Sequence, residues 1–207
     1  MTVVTQGLAR QIDPTTCGSA VLVAVQAAGQ GRLHEVLHQD ELTRLPAQAA
    51  MKLATSRRAL GPLSWPRSLG TPPWTAAREA RYPGVRYAVA WLAPWRRPRR
   101  DASVWRTLFS AASRAIPVPL YVGGAPGRGT QGLPRHVVLI LSARPGDGWQ
   151  PAVVAGQVTA DVVWRLYEPS SGTIHEVSTA ELHSKQPCAA FGGWSHVWAA
   201  LVPYPED

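Results

Sequence analysis

The chain has 207 residues, of which 45% are hydrophobic, and it carries a formal net charge of +8 at pH 7. This length and hydrophobic content suffice for one domain with a substantial core, so we predict a single domain over residues 1–207. Its two cysteines are too few for a disulfide framework or a four-thiolate zinc site. No uncharged apolar run approaches the ~20 residues that span a bilayer, so no membrane span is predicted.

The positive charge comes almost entirely from arginine, because Lys52 and Lys185 are the only lysines. The basic run Arg96–Arg100 is a candidate contact for an acidic partner. RNA-binding motifs and alternating basic and aromatic repeats are absent, so nucleic acid is not the expected main partner. The first residues lack the basic start and apolar stretch of a signal peptide, and we expect a cytoplasmic protein or one exported without such a signal.

The first half of the chain is predominantly helical in its pattern. Cys17 to Ala28 is almost wholly apolar and ends at Gly29, which predicts a buried helix with a glycine stop. Further helices are predicted between Leu33 and Leu60, with an interruption near Pro46. A proline- and tryptophan-rich loop follows, and the later elements are a short helix from about Pro73, a strand Tyr87–Leu92, a basic loop Trp95–Arg100 and a helix from Asp101 to about Ala115.

Beyond Pro117 the pattern changes to short apolar runs separated by turn residues, which are typical of β-strands. The predicted strands are Val118–Val122, His136–Leu141, Val162–Tyr167, Thr173–Val177 and His196–Val202. Helices first and strands later predict an α+β fold with an antiparallel sheet.

Cys17 stands where the turn Asp13-Pro14-Thr15-Thr16 leads into the first apolar helix. A thiol at a helix amino terminus is favoured as the thiolate, since the unpaired N–H groups and the positive end of the helix dipole face it. Gln11 precedes Cys17 by six residues, in a loop that can fold back over this junction. Its amide and the backbone N–H of Cys17 would make a two-donor oxyanion hole.

A base and its orienting group are predicted farther along the chain. His136 opens the apolar strand HVVLIL after a turn-rich segment, so its imidazole would stand at the rim of the sheet facing the helix. Glu168 ends the strand WRLYEP just before Ser170-Ser171-Gly172. From there a carboxylate can accept the imidazole N–H and hold the ring in one tautomer.

These three islands, QIDPTTCGSA, HVVL and YEPSSG, resemble the papain-like peptidases of the bacterial type that process double-glycine leader peptides, and their C39-like relatives. The resemblance implies a papain-like fold, with the catalytic cysteine at a helix amino terminus packed on an antiparallel sheet. It also implies the order glutamine, cysteine, histidine, acid, matched here by Gln11, Cys17, His136 and Glu168. The acid is a glutamate where the family usually has aspartate.

We therefore predict a thiol hydrolase, foremost a cysteine peptidase acting on a protein or peptide through a Cys17 thioester, with no cofactor. Deamidation and acyl transfer remain alternatives, because they pass through the same thioester. A second class is a zinc peptidase, since His34-Glu35-Val36-Leu37-His38 matches the HExxH motif, although a third ligand is missing from the sequence pattern. A third is a binding module that has the fold without catalysis.

Overall fold

The computed structural model of the protein describes residues 1–92, 98–127, 129, 133–146 and 162–206. Six α-helices lie within this part of the chain: α1 Cys17–Gly29, α2 Leu33–Leu37, α3 Glu41–Ser56, α4 Pro73–Glu79, α5 Pro98–Ala112 and α6 Thr179–His183. The strands are β1 Thr2–Thr5, β2 Val85–Trp91, β3 Val118–Gly123, β4 Pro134–Pro145, β5 Val162–Glu168, β6 Thr173–Ser178 and β7 His196–Pro205. The predicted α+β class is confirmed.

The strands form one seven-stranded sheet with the order β1-β6-β5-β4-β3-β7-β2, and every neighbouring pair is antiparallel. The order places β4, which begins two residues before His136, directly beside β5, which ends at Glu168. Antiparallel neighbours bring the start of one strand next to the end of the other. The predicted base and its predicted orienting acid are therefore adjacent at one end of the sheet.

Helices cover both faces of the sheet, and two buried apolar clusters result. One cluster, here the α1 cluster, joins Val21, Leu22 and Val25 of α1 to Tyr121, Leu139 and Tyr167 of the sheet. The other, the α5 cluster, joins Trp105 and Leu108 of α5 to Leu120, Ile140 and Trp164. Adjacent strand residues such as Leu120 and Tyr121 enter opposite clusters, as the two-residue period of a strand requires.

Helix α1 forms because its sequence is apolar on nearly every side. Nine of its residues are buried, from Cys17 to Ala27, and the helix ends at Gly29 as predicted. A helix that is apolar all round is expected in a core rather than at a surface. Packing against α3 and against β4 gives it that position.

The region between Leu33 and Ser56 differs from the prediction at Pro46, since α3 continues through this proline. Proline removes the N–H that would bond to the carbonyl of Leu42. Leu42 is 83% exposed, so water can hydrate that carbonyl and the break is tolerated. Asp40 caps the amino terminus of α3, because its side chain accepts a hydrogen bond of 2.9 Å from Thr43 N–H.

The structure also differs from the prediction at the basic run and in two elements that were not predicted. Helix α5 begins at Pro98, so Pro98–Arg100 form its first turn rather than a loop, and Asp101 is not the cap. Arg96 and Arg97 lie outside the described residues. Strand β1 and helix α6 were not predicted.

Within the described residues, no helix is long and apolar enough to cross a membrane.

Candidate active site

Cys17 is the first residue of α1 and is 3% exposed. No side chain among the described residues caps the first turn, since the Thr16 hydroxyl donates instead to the Asp13 carbonyl at 2.9 Å. The first N–H groups of a helix have no partner within the helix, so they remain available to an anion beside Cys17. The local sequence therefore sets the sulfur at the positive end of an uncapped helix.

His136 and Glu168 form a buried pair at the end of the sheet. The imidazole Nε2 lies 2.7 Å from Glu168 Oε1, and the side chains are only 8% and 1% exposed. The Cys17 side chain also acts electrostatically on the imidazole and raises its pKa. Because Nε2 is engaged by the carboxylate, Nδ1 is the nitrogen left for the sulfur. Cys17 and Glu168 thus both act on the His136 ring.

The groups around His136 favour the charged form of its imidazole. Burial by itself would lower the pKa of His136, but hydrogen bonds to Cys17 and Glu168, together with the charges of both, raise it to about 9. Burial would likewise raise the pKa of Glu168, yet hydrogen bonds from His136, Ser171 and Ser170 lower it to about 2. At neutral pH the pair is therefore carboxylate and imidazolium.

The turn after β5 holds the carboxylate in place. Glu168 Oε1 accepts from Ser170 N–H at 2.8 Å and from Ser170 Oγ at 2.7 Å, and Oε2 accepts from Ser171 N–H at 2.8 Å. Gly172 N–H closes the turn on the Glu168 carbonyl at 3.0 Å. Both carboxylate oxygens are therefore satisfied, and the buried charge is compensated by donors as well as by the imidazole.

Gln11 lies in the loop before α1, which docks on the turn after Glu168. Its backbone N–H donates to the Pro169 carbonyl at 2.8 Å, and Leu8 N–H donates to the Gly172 carbonyl at 3.0 Å. Arg10 Nε adds a bond of 3.0 Å to the Ser171 carbonyl. These cross-links join the segment that carries Gln11 to the segment that carries the acid.

The side-chain amide of Gln11 has a fixed orientation. Its Nε2 donates to the Asp13 carbonyl at 2.8 Å, and exchanging oxygen and nitrogen would place two acceptors against each other. One N–H is used in this bond and the second remains. Its buried Oε1 has no hydrogen-bond partner among the residues that the structure describes. The structure thus ties Gln11 beside the acid and gives its amide one further donor.

Gly192 closes the side of the His136–Glu168 pair. It follows the short helix Ala189–Phe191, whose Ala190 and Phe191 belong to the α5 cluster, and has a φ of +65°. A Cβ at this position would lie 3.1 Å from His136 Nε2 and Cδ2 and 3.4 Å from Glu168 Oε1. Only glycine fits so closely in this backbone conformation. The glycine pair Gly192-Gly193 is the sequence signal from which this close approach could have been predicted.

Two other buried side chains near the site were not predicted. Tyr121 of β3 belongs to the α1 cluster with Cys17, and burial together with the charge of Cys17 holds its pKa well above the usual range. His175 of β6 is 4% exposed, and within the described part of the chain its Nδ1 has no hydrogen-bond partner. Burial lowers the pKa of His175 against the opposing effect of Glu168. Both lie within ordinary apolar strand patterns, so no sequence signal distinguished them.

The HExxH segment has a different arrangement. The rings of His34 and His38 stack with centroids 4.1 Å apart, and His38 Nδ1 lies 2.7 Å from the His34 carbonyl. Glu35 forms an ion pair with Arg32 at 2.7 Å. Within the described residues no group of three or more histidine, cysteine, aspartate or glutamate side chains is placed to hold a metal ion. The segment does not fit a zinc peptidase centre, which needs a third ligand.

Comparison of the sequence with profiles of known protein families and with curated proteins finds no match in either set.

Proposed function

We propose that this protein is a papain-like thiol hydrolase of the C39-like kind, with cysteine peptidase activity as its leading reaction. Cys17 is the nucleophile, His136 the general base and acid, Glu168 the residue that orients the imidazole, and Gln11 a donor of the oxyanion hole. The observation that carries the proposal is the buried His136–Glu168 pair, whose imidazole is electrostatically coupled to Cys17 at the uncapped start of α1.

Formation of the thioester follows from this arrangement. In the reacting state the thiol proton of Cys17 has moved to His136. The sulfur attacks the carbonyl carbon of the substrate, and the π electrons of the carbonyl move to its oxygen. When the tetrahedral intermediate collapses, the carbon–nitrogen bond breaks and His136 gives its proton to the leaving amine. The amine departs and the acyl group remains on Cys17.

Hydrolysis completes the cycle and returns the enzyme to its first state. Neutral His136 takes a proton from water while the water oxygen attacks the thioester carbonyl. The carbon–sulfur bond then breaks and Cys17 leaves as the thiolate. In both halves the negative oxygen is stabilised by the free N–H groups at the start of α1 and by the second N–H of Gln11. Glu168 keeps the imidazole in the tautomer that these transfers require.

The same thioester supports deamidation of glutamine, in which ammonia is the leaving group, and acyl transfer, in which an amine replaces water. The choice among them depends on which nucleophile reaches the thioester. The HExxH alternative has no comparable support, because Glu35 is paired with Arg32 and the two histidine rings stack on each other.

The first experiment measures alkylation by iodoacetamide near neutral pH, followed by intact mass. Wild type is compared with Cys17→Ala, His136→Ala and the control Cys188→Ala, which removes the other, half-buried cysteine. We expect one adduct on Cys17, formed at least ~10-fold faster than on Cys188, and a rate that falls ~10-fold or more without His136. Cys188→Ala should react as the wild type does.

Acylation by p-nitrophenyl acetate then tests the thioester. A burst of p-nitrophenol with one equivalent of acetyl on Cys17 is the expected result, and Cys17→Ala should abolish it. If Cys17 reacts no faster than Cys188 with iodoacetamide, the pairing with His136 does not activate the thiol and the proposed function is wrong.

A further inference from the structure

Gln48 of α3 holds the peptide on both sides of Gln11. Its Oε1 accepts from Ile12 N–H at 3.1 Å, and its Nε2 donates to the Arg10 carbonyl at 3.1 Å. The side chain is fully enclosed, with the residue only 3% exposed. One amide therefore satisfies a backbone donor and a backbone acceptor that flank Gln11, in the way that a neighbouring strand would.

Lys52 lies one turn farther along the same face of α3 and holds the next part of the loop. Its ammonium group lies 3.2 Å from Asp13 Oδ2 and also hydrogen-bonds the Thr15 hydroxyl. Asp13 in turn accepts from Thr15 N–H at 2.6 Å, and its carbonyl accepts the Gln11 amide at 2.8 Å. Positions 48 and 52 are four apart, which places both side chains on one helix face.

The opposite side of the loop is held by the acid-bearing turn. Gln11 N–H donates to the Pro169 carbonyl at 2.8 Å. The backbone at Gln11 is thus fixed between α3 and the turn after Glu168, and its amide can reach only a small range of positions. A donor that stabilises an oxyanion must lie within a few tenths of an ångström of its productive position, so such fixation has a direct chemical use.

An apolar side chain would fill the same space without a buried amide that needs two partners. A buried polar group raises the free energy of the folded state unless it is hydrogen-bonded, and both bonds of Gln48 go to the loop that carries Gln11. An amide at position 48 is therefore needed to hold the loop that carries Gln11, and the packing of α3 alone does not require it.

We propose that Gln48 is a positioning residue for the oxyanion hole, acting through Gln11, with Lys52 holding the adjoining Asp13. The inference rests on the proposed function. It predicts that loss of Gln48 slows reactions that pass through an oxyanion and leaves the reactivity of the Cys17 sulfur unchanged.

Two reagents separate these effects. Iodoacetamide alkylates sulfur by displacement of iodide and forms no oxyanion, whereas p-nitrophenyl acetate acylates it through a tetrahedral oxyanion. Gln48→Met keeps the length of the side chain and removes both hydrogen bonds. Gln48→Glu keeps the acceptor for Ile12 N–H and loses the donor to Arg10. The matched control is Gln26→Met, because Gln26 is an exposed glutamine of α1.

For Gln48→Met we expect acylation to fall ~10-fold or more and alkylation to stay within about twofold of wild type. The acylation rate of Gln48→Glu should lie between those of Gln48→Met and wild type. Gln26→Met should match wild type in both reactions. Gln11→Met should give the same selective loss of acylation. The double variant Gln11→Met with Gln48→Met should lose little more than Gln11→Met alone, since both changes remove the same donor.

Three results would overturn the inference. Equal losses in alkylation and acylation would make Gln48 a structural residue only, and no loss in either would show that the loop holds its place without it. Additive losses in the double variant would show that Gln48 does not act through Gln11. Circular dichroism of each variant accompanies the rates, and Gln48→Glu carries the test if Gln48→Met does not fold. If iodoacetamide alkylates Cys17 of the wild type no faster than Cys188, the proposed function itself is wrong, whatever the Gln48 variants show.

Discussion

Replacement of Glu168 by glutamine tests the electrostatics of the site, because glutamine has the same size and can still accept from His136. The carboxylate now accepts from the imidazole, from Ser170 and from Ser171. In Glu168→Gln one oxygen can keep the bonds of Oε1, but the amide NH2 then faces the N–H of Ser171. The variant loses the charge and one acceptor while the shape of the site is retained.

The magnitude follows from the pKa of the carboxyl group. Its value of about 2, against an ordinary 4.5, corresponds to roughly 3 kcal/mol of stability in the folded protein. Because the folded pKa is depressed, this contribution is complete above pH 4.5 and is lost as the pH falls through about 2. At pH 3 roughly half of it remains. His136 does not affect the comparison between about pH 2 and pH 5, since its imidazole is charged in both the folded and the unfolded state over that range.

Urea denaturation of wild type and Glu168→Gln at several pH values between about 3 and 5 measures this contribution. We expect the variant to be about 3 kcal/mol less stable at about pH 5 and the difference to shrink to about half at about pH 3. Glu176→Gln is the control. Glu176 of β6 pairs at the surface with Arg144 at 3.5 Å, and such pairs contribute at most about 1 kcal/mol. A difference for Glu168→Gln that does not change with pH would refute the reasoning.

Glu168→Gln should also change the pH at which the rate of acylation falls on the alkaline side. With an amide substrate, His136 must be protonated to give its proton to the leaving amine, and its pKa of about 9 depends in part on Glu168. Wild-type acylation should therefore decline with a midpoint near pH 9, and Glu168→Gln should move that midpoint to lower pH. The imidazole also contributes stability that is complete below pH 6.5 and is lost as the pH rises through about 9. An unmoved midpoint would contradict the assignment of Glu168 as the partner of His136.

Alanine substitutions at two glycines, Gly192 and Gly172, test the close packing at the site, and Gly193→Ala is the control for both. Gly192→Ala should slow alkylation of Cys17 ~10-fold, because its methyl group would press on the His136 ring. At Gly193, with φ +86°, no atom of the described residues lies within 4 Å of an added Cβ, so Gly193→Ala should only lower stability by about 1 kcal/mol. Equal alkylation rates of Gly192→Ala and Gly193→Ala would contradict this. Gly172→Ala should destabilise the protein by more than Gly193→Ala in urea, since its Cβ would lie 2.2 Å from the Leu8 carbonyl oxygen at a φ of +64°; equal urea midpoints would contradict that reasoning.

The elements of this chain were largely predictable from local patterns. The apolar run after the Asp13-Pro14 turn predicted α1 and its end at Gly29, and alternation and turn residues predicted five strands of the second half. The passage of α3 through Pro46 was not predictable from the proline alone. Whether the freed carbonyl meets water depends on which face of the helix is exposed, and packing decides that.

The sequence by itself determined which residues could form the candidate site, because Cys17 at a helix start, His136 at a strand start and Glu168 at a strand end are local features. Only the tertiary structure decided which of them meet. The contact of His136 with Glu168 joins residues 32 positions apart, and the bonds of Gln48 to the Gln11 loop span 36 and 38 positions. Such contacts depend on strand order and on the packing of α1 and α3, which local propensity does not encode. Gly192 belongs to the same class, since its need for glycine arises from the imidazole packed against it.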